Sequence, residues 1–176
     1  MTTLETAKSP AAQPRQATQM VTFKFNGKDV TVAKGTTVME AASLNNIDIP
    51  HFCWHPGLSV AGVCRFCLVK VEGARKLEIA CNLEARDGLI VSSVDGEVKE
   101  AHKWALEFHL VNHPLDCPIC DQAGECGLQD FYMSVGKYKS WMTRPKALKP
   151  KALDIGGDLV LDTERCILCS RCVRFE

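Results

Sequence analysis

From Met20 onward apolar residues fall at alternate positions, Val21, Phe23 and Phe25, and after Asn26-Gly27 again at Val30 and Val32. That pattern predicts two antiparallel strands joined by a tight turn. Gly35 leads to Thr37, three residues before Glu40, the spacing of a capping box, and Val38, Ala41, Ala42 and Leu44 predict a short helix ending near Asn45-Asn46. Further β-rich stretches at 67–71, 77–81 and 89–92 complete the order strand, strand, helix, loop, strand, strand, strand. This order suits a small β-grasp domain over residues 20–97, within an α+β fold.

Asp95 is the expected N-cap of a second helix, in which Val98, Ala101, Ala105, Phe108 and Val111 recur at helical spacing and which Pro114 should end near His113. Residues 115–134 are rich in cysteine and poor in apolar side chains, so a bound centre would have to act as the core of a module over 98–137. From Lys137 to Lys151 there are six basic residues and no acidic ones, with prolines at 145 and 150. This reads as an extended covering strap, and it opens a last module, 138–176, with a strand-like stretch at 158–162. Residues 1–19 lack apolar periodicity and should form a disordered tail. Lys8 and Arg15 are too few basic residues, beside Glu5, to make a convincing mitochondrial presequence.

Charge adds little: 21 basic residues balance 21 acidic ones, so no global field argues for nucleic acid or an anionic membrane. No apolar run approaches the roughly 20 residues needed to span a bilayer. The cysteines change the picture. All ten fall into three runs: Cys53, Cys64, Cys67 and Cys81; Cys117, Cys120 and Cys126; Cys166, Cys169 and Cys172. Two-residue gaps in a chain without a secretion signal indicate metal ligands rather than disulfides.

In the first run the Cys64/Cys67 pair can wrap one loop around an inorganic core while Cys53 and Cys81 clamp it. The first gap is ten residues where the plant-type ferredoxin spacing has four. Gly57 and Gly62 in the intervening loop would let backbone N–H groups approach the sulfurs. The second run needs a fourth donor, and His113 stands four residues upstream of Cys117. His51, His55, His102 and His109 read as ordinary solvated histidines. Zinc also accepts four cysteines, or three cysteines and a histidine, so spacing alone leaves it open, whereas the β-grasp flanks favour iron–sulfur. The third run resembles the start of the bacterial C-x2-C-x2-C-x3-C-P motif but has Glu176 at the fourth position, leaving a later cysteine, Asp162, Glu164, Glu176 or a partner to complete it.

Taken together, Cys53–Cys81, the stretch Asn112-His113-Pro114-Leu115-Asp116-Cys117-Pro118-Ile119-Cys120-Asp121 with Gly124-Glu125-Cys126, and Cys166–Cys172 closely resemble the N-terminal region of the large iron–sulfur subunit of respiratory complex I, NADH:quinone oxidoreductase. The resemblance implies a 2Fe–2S cluster on Cys53, Cys64, Cys67 and Cys81, and a 4Fe–4S cluster on His113, Cys117, Cys120 and Cys126. It also implies a second 4Fe–4S cluster on Cys166, Cys169, Cys172 and a cysteine absent from this chain. Electrons would arrive from a flavin-bearing NADH-oxidising subunit and leave toward quinone, within the peripheral arm of a membrane-associated translocase. That arm would lie on the cytoplasmic side of the bacterial inner membrane, or on the matrix side in mitochondria.

Family members continue into a large further domain, so the chain is expected to be a truncated, split or short paralogous subunit. Similar modules occur in the small diaphorase subunit of NAD-linked hydrogenases, in iron-only hydrogenases and in some formate dehydrogenases, which gives the alternative reading. With no nucleotide fingerprint and no Ser/His/Asp arrangement, the chain alone should pass electrons and break no bonds. Two further readings are a free-standing ferredoxin and a zinc-stapled interaction module whose strap, with Tyr138 and Trp141, contacts nucleic acid.

Overall fold

The computed structural model describes residues 19–137 and 139–175. The tail expected over 1–19 lies, Gln19 aside, outside the described residues, as do Tyr138 and Glu176. Strands β1 (Met20–Phe25) and β2 (Lys28–Ala33) pair antiparallel, with Val21 opposite Val32 and Phe23 opposite Val30, so the alternating apolar set lies on one face. Asn26 and Gly27 join them at φ 48° and 81°, the positive values that a two-residue turn between twisting strands demands.

Helix α1 (Val38–Leu44) starts as its capping box predicts: Glu40 N–H donates to Thr37 Oγ1 at 3.2 Å while Thr37 N–H donates to Glu40 Oε2 at 2.8 Å. It buries Val38, Met39, Ala41 and Ala42 in the same cluster as Phe23 and Phe25. Replacing Thr37 by alanine removes one of the two bonds and should lower stability by about 1 kcal/mol. Urea unfolding followed by circular dichroism measures this, and an unchanged midpoint would show that the cap contributes nothing.

β3 (Leu68–Val71), β4 (Glu78–Ile79) and β5 (Ile90–Ser92) complete a five-stranded sheet in the order β2-β1-β5-β3-β4, with β5 parallel to β1 and every other pairing antiparallel. One helix across a mixed sheet is the expected α+β, β-grasp arrangement. The strand expected over 77–81 is cut short. After β4 the backbone tightens into a 3-10 turn at Ala80–Asn82, where Ala80 N–H donates to Cys67 O at 2.8 Å and draws Cys81 inward.

Helix α2 (Gly96–Leu110) is capped by Asp95, as expected, but ends three residues before His113. Pro114 disfavours a helical backbone at His113, and the strap takes up the last carbonyls of the helix, as described below. Helix α3 (Gly127–Val135) was not foreseen, nor was β6 (Leu153–Gly156), which pairs with β7 (Leu159–Leu161), the strand expected at 158–162. Helix α4 (Arg171–Phe175) carries Cys172.

A second core joins the loop 52–66 to α2 and α3. Phe66 is fully buried there, with Leu106, Leu110 and Leu128, and its ring lies edge-on to Phe52 (4.4 Å between centroids), His109 (4.7 Å) and Phe131 (5.0 Å). Three of the histidines read as solvated are structural. His102 is buried beside Phe131; His109 Nδ1–H donates to Ala105 O at 2.8 Å; His51 Nδ1–H donates to Ile49 O at 2.7 Å and packs edge-on to Trp54. Only His55 stands exposed as expected. Helical position decides the other two: His102 and His109 are seven residues apart on α2, the spacing that shares one face, and that face is the inner one.

Candidate metal centres

Four cysteines from three separate elements meet at the edge of the sheet. Cys53 and Cys64 flank the long loop, Cys67 immediately precedes β3, and Cys81 sits in the 3-10 turn; none is more than 4% exposed. Their thiols form two hydrogen-bonded pairs, Cys53 with Cys64 and Cys67 with Cys81. Main-chain N–H groups of Cys53, Phe66 and Phe52 are directed at Cys64 Sγ, and those of Cys81, Cys67 and Ala80 at Cys67 Sγ. The hydrogen bond from Cys81 lowers the Cys67 thiol to about 7, with burial opposing, and the same bond raises Cys81. Burial raises Cys64. Only Cys67 is biased toward thiolate, while Cys64 and Cys81 are held toward the neutral thiol; four sulfurs brought together with main-chain amides around them suit a bound inorganic core rather than a packed apolar one.

The loop achieves this with Arg65 in the left-handed region at φ 58°, a sterically disfavoured conformation for a long side chain, which turns the following amides back toward Cys64. Gly57 and Gly62, expected to bring amides to the sulfurs, are not among those donors. A Cβ on Gly62, at φ 64°, would meet Ile79 Cδ1 at 3.0 Å, and one on Gly57 would meet His55 Nδ1 at 3.4 Å, so these glycines let the loop pack closely.

His113, Cys117, Cys120 and Cys126 line one cavity of about 30 Å³, and His113, Cys120 and Cys126 also wall an adjoining cavity of about 560 Å³. Cys117 and Cys120 bracket a 3-10 turn in which Cys120 N–H donates to Cys117 O at 3.3 Å, and Cys126 is the N-cap of α3. His113 Nδ1 is buried and lacks any hydrogen-bond partner. Burial first, then the Lys146 ammonium, hold the imidazole below its usual pKa, in the neutral form whose nitrogen lone pair can bind a metal. An unpartnered ring nitrogen on a residue that lines the same cavity as three cysteines fits the expected imidazole-for-thiolate substitution.

Among the described residues no three His, Cys, Asp or Glu side chains close around a single ion. A tetrahedral zinc site would bring its sulfurs within about 3.8 Å of one another.

The third run is not gathered in this way. Cys166 lines a hollow of about 250 Å³ with His113 and Glu164, Cys169 faces the 560 Å³ cavity, and Cys172 is exposed on α4. The carboxylates considered as substitute ligands are committed elsewhere. Asp162 accepts from the N–H groups of Glu164 (3.0 Å) and Arg165 (3.1 Å), and Glu164 accepts from Lys149 N–H (2.9 Å) and pairs with Lys151 (3.0 Å). Both are held below the ordinary carboxylate range by these bonds, so both stay charged and occupied near neutral pH. Glu176 lies outside the described residues. α4 is nonetheless fixed against the first site: Arg171 donates to Trp54 O at 2.8 Å, and Arg174 donates to Cys53 O at 2.5 Å and Cys169 O at 3.2 Å.

The basic strap lies on the protein. Trp141 packs on Trp104 with ring centroids 3.9 Å apart, Lys137 sits 4.0 Å over the Trp141 ring, and Lys151 pairs with Asp116 at 2.6 Å. With Lys146 also turned inward, three of the six basic side chains of the strap, those of Lys137, Lys146 and Lys151, are engaged by other groups of the chain. No helix among the described residues is long and apolar enough to cross a membrane.

Residues 18–96 match the family model described as a 2Fe-2S iron-sulfur cluster binding domain, and residues 103–140 match the NADH-ubiquinone oxidoreductase-G iron-sulfur binding region. The G subunit of NADH-quinone oxidoreductase from Mycobacterium tuberculosis is 46% identical over 160 residues, which are 90% of this chain and 20% of that protein. Its Streptomyces coelicolor counterpart is 43% identical over 159 residues, 89% of this chain and 19% of that protein. The chain thus spans about a fifth of the length of these relatives. Among solved structures, a chain of an NAD+-reducing [NiFe]-hydrogenase in its H2-reduced state superposes with a TM-score of 0.78 and 34% identity, covering 88% of this chain and 64% of that one.

Proposed function

The chain belongs to the family of NADH-quinone oxidoreductase G subunits, as its N-terminal iron–sulfur region, and from that premise we propose that it relays single electrons from a flavin-bearing NADH-oxidising subunit toward quinone. The observation that carries the reading is the cavity lined by His113, Cys117, Cys120 and Cys126, together with a His113 Nδ1 that is buried and has no hydrogen-bond partner.

In this proposal Cys53, Cys64, Cys67 and Cys81 would hold the 2Fe–2S cluster. His113, Cys117, Cys120 and Cys126 hold the 4Fe–4S cluster. Cys166, Cys169 and Cys172 contribute to a second 4Fe–4S cluster, whose last ligand is not in this chain. When bound, these clusters accept and release one electron at a time. The chain's own residues do the rest: amides directed at Cys64 and Cys67 stabilise negative charge on sulfur, the Phe52–Phe66–His109–Phe131 group keeps water out, and Arg171 and Arg174 hold the third run beside the first.

The domain division proposed is 20–97 for the 2Fe–2S domain, 98–137 for the module with one histidine and three cysteines, and 138–176 for the partial ferredoxin-type module. The assembly would be the peripheral arm of NADH:quinone oxidoreductase, on the cytoplasmic face of a bacterial inner membrane or the matrix face of a mitochondrial one.

The superposition on the NAD+-reducing hydrogenase favours a second reading, a diaphorase-type subunit of such an enzyme. The higher identity to the NADH-quinone oxidoreductase relatives argues for the first. Anaerobic purification separates the classes: iron and acid-labile sulfide should be present in equal amounts in a brown protein, and a colourless zinc protein would refute the reading. Co-purification with a flavoprotein and quinone reductase activity, against hydrogenase activity, separates the two assemblies.

A further inference from the structure

α2 ends without a C-terminal cap of its own, since Val111 keeps a helical backbone and no glycine follows. Its free carbonyls are taken by the strap instead. Lys146 Nζ donates to Leu110 O at 2.5 Å and lies 3.5 Å from Val111 O, while Ala147 N–H donates to Asn112 Oδ1 at 2.9 Å. Two consecutive strap residues therefore grip the three residues directly before His113. The strap is anchored on either side of that grip. Upstream, Ser140 Oγ and Trp141 N–H donate to the buried Glu107 at 3.4 and 3.2 Å; downstream, Lys151 pairs with Asp116 and Glu164 at 2.6 and 3.0 Å.

Lys146 differs from Lys151 in one respect. Among the described residues no carboxylate lies within about 4 Å of it; its ammonium is held by carbonyl dipoles at a helix C-terminus, with the buried Glu107 carboxylate acting on it from farther away. The charges facing His113 are the cations Lys146 and Arg165 and the carboxylates Asp116 and Asp162. Asp116 and Asp162 are both paired with Arg165, at 3.6 and 3.4 Å, and Asp116 also with Lys151, which leaves Lys146 as the unpaired member of the group.

We propose that Lys146 is a positioning residue for the histidine-bearing centre: its ammonium caps α2 so that His113 points into the donor cavity, and its unpaired charge makes that centre easier to reduce. The inference rests on the assignment of His113, Cys117, Cys120 and Cys126 as one cluster site. The sign follows from electrostatics, because a reduced cluster is one unit more negative and a nearby cation stabilises it, the more so away from water.

The test uses the full chain, loaded with iron and sulfide, in three forms: wild type, Lys146→Met and Lys146→Arg. Lys146→Met keeps the stem's bulk and loses charge and donor, whereas Lys146→Arg keeps both. EPR at a series of fixed ambient potentials reads the two centres separately, with the 2Fe–2S signal as internal control. Lys146→Met should lower the ratio of reduced to oxidised histidine-bearing centre several-fold at a given potential and broaden its spectrum. The 2Fe–2S signal should not move, and Lys146→Arg should stay close to wild type. If Lys146→Met instead loses the second centre, recovery in Lys146→Arg with the 2Fe–2S signal intact supports the positioning role. An unchanged potential and line shape in Lys146→Met, equal disturbance of both centres, or failure of arginine to restore the second centre overturns the proposal. Failure of the underlying assignment shows differently, as a His113→Ala protein whose spectrum matches wild type.

Discussion

Cys67→Ser is expected to abolish the EPR signal of the 2Fe–2S centre and to reduce iron per chain by the amount that centre holds, with the signal of the histidine-bearing centre retained. Cys67 is the thiol of its set that its surroundings bias toward thiolate. It takes the Cys81 hydrogen bond and receives three main-chain N–H groups, and it is held near pKa 7, where thiolate forms readily at neutral pH. Serine offers a harder, shorter oxygen whose proton is not lost under these conditions, so the site forfeits a donor. Ala80 N–H keeps its bond to Cys67 O, so the folded apo chain loses chiefly the contact between the Cys81 amide and the sulfur, at a cost of about 1 kcal/mol.

The second centre should survive because its donors come from residues 113–126, beyond the sheet, although the two regions share the Phe66 core. Cys172→Ser is the matched control: Cys172 is exposed on α4 and takes no part in either four-donor set, so both signals should remain. Iron analysis and EPR on the wild type and the two variants decide the matter. Retention of the 2Fe–2S signal in Cys67→Ser would remove Cys67 from the ligand set and with it the pairing of the four thiols.

The elements that were legible in advance are those in which one local rule agreed with tertiary packing. Alternation with Asn26-Gly27 made the hairpin, Thr37 with Glu40 started α1, and Asp95 started α2. α3 was missed for an instructive reason. Counting apolar residues over 115–134 gives a polar segment, but Leu128, Phe131, Tyr132 and Val135 lie at i, i+3, i+4 and i+7, one helical face, and that face packs against Phe66. Placement of the apolar residues, not their number, carried the signal. β6 escaped because Leu153–Gly156 borders the basic strap and is exposed along its whole length, so no inward-facing alternation marks it.

The strap illustrates a different limit. Its composition suggested a solvated cover, and Trp141 on Trp104 agrees, but nothing local indicates that Lys146 would reach carbonyls 35 and 36 residues away. Long-range hydrogen bonds from flexible side chains have no periodicity to read. The candidate ligand residues stand out in the sequence because their spacing within each run is short and local. The third run offers three cysteines at a regular spacing, and the spacing alone does not name a fourth donor.

His113→Ala should remove the histidine-bearing centre selectively, and millimolar free imidazole added during reconstitution should restore it. The expectation rests on space as much as on chemistry. His113 is half-buried at the wall shared by the two cavities, so truncation to alanine leaves a hollow of imidazole shape next to Cys117, Cys120 and Cys126, continuous with the 560 Å³ space. Changing an outer-shell partner of a metal ligand typically costs about 10–100-fold in metal affinity, and deletion of a ligand should cost at least that much. Iron at the second site should therefore fall below detection in the purified variant while the 2Fe–2S centre persists. Rescue discriminates between roles: a histidine needed only for packing would not be replaced by a freely diffusing ring, whereas one that donates a nitrogen lone pair would be. His109→Ala supplies the contrast. That ring packs on Phe52 and Phe66 and bonds Ala105 O, so its loss should lower stability and leave the second centre's spectrum in place. If His113→Ala kept its iron and its spectrum, another group would be the fourth donor, and the unpartnered His113 nitrogen would have to be explained by packing, as that of His102 is.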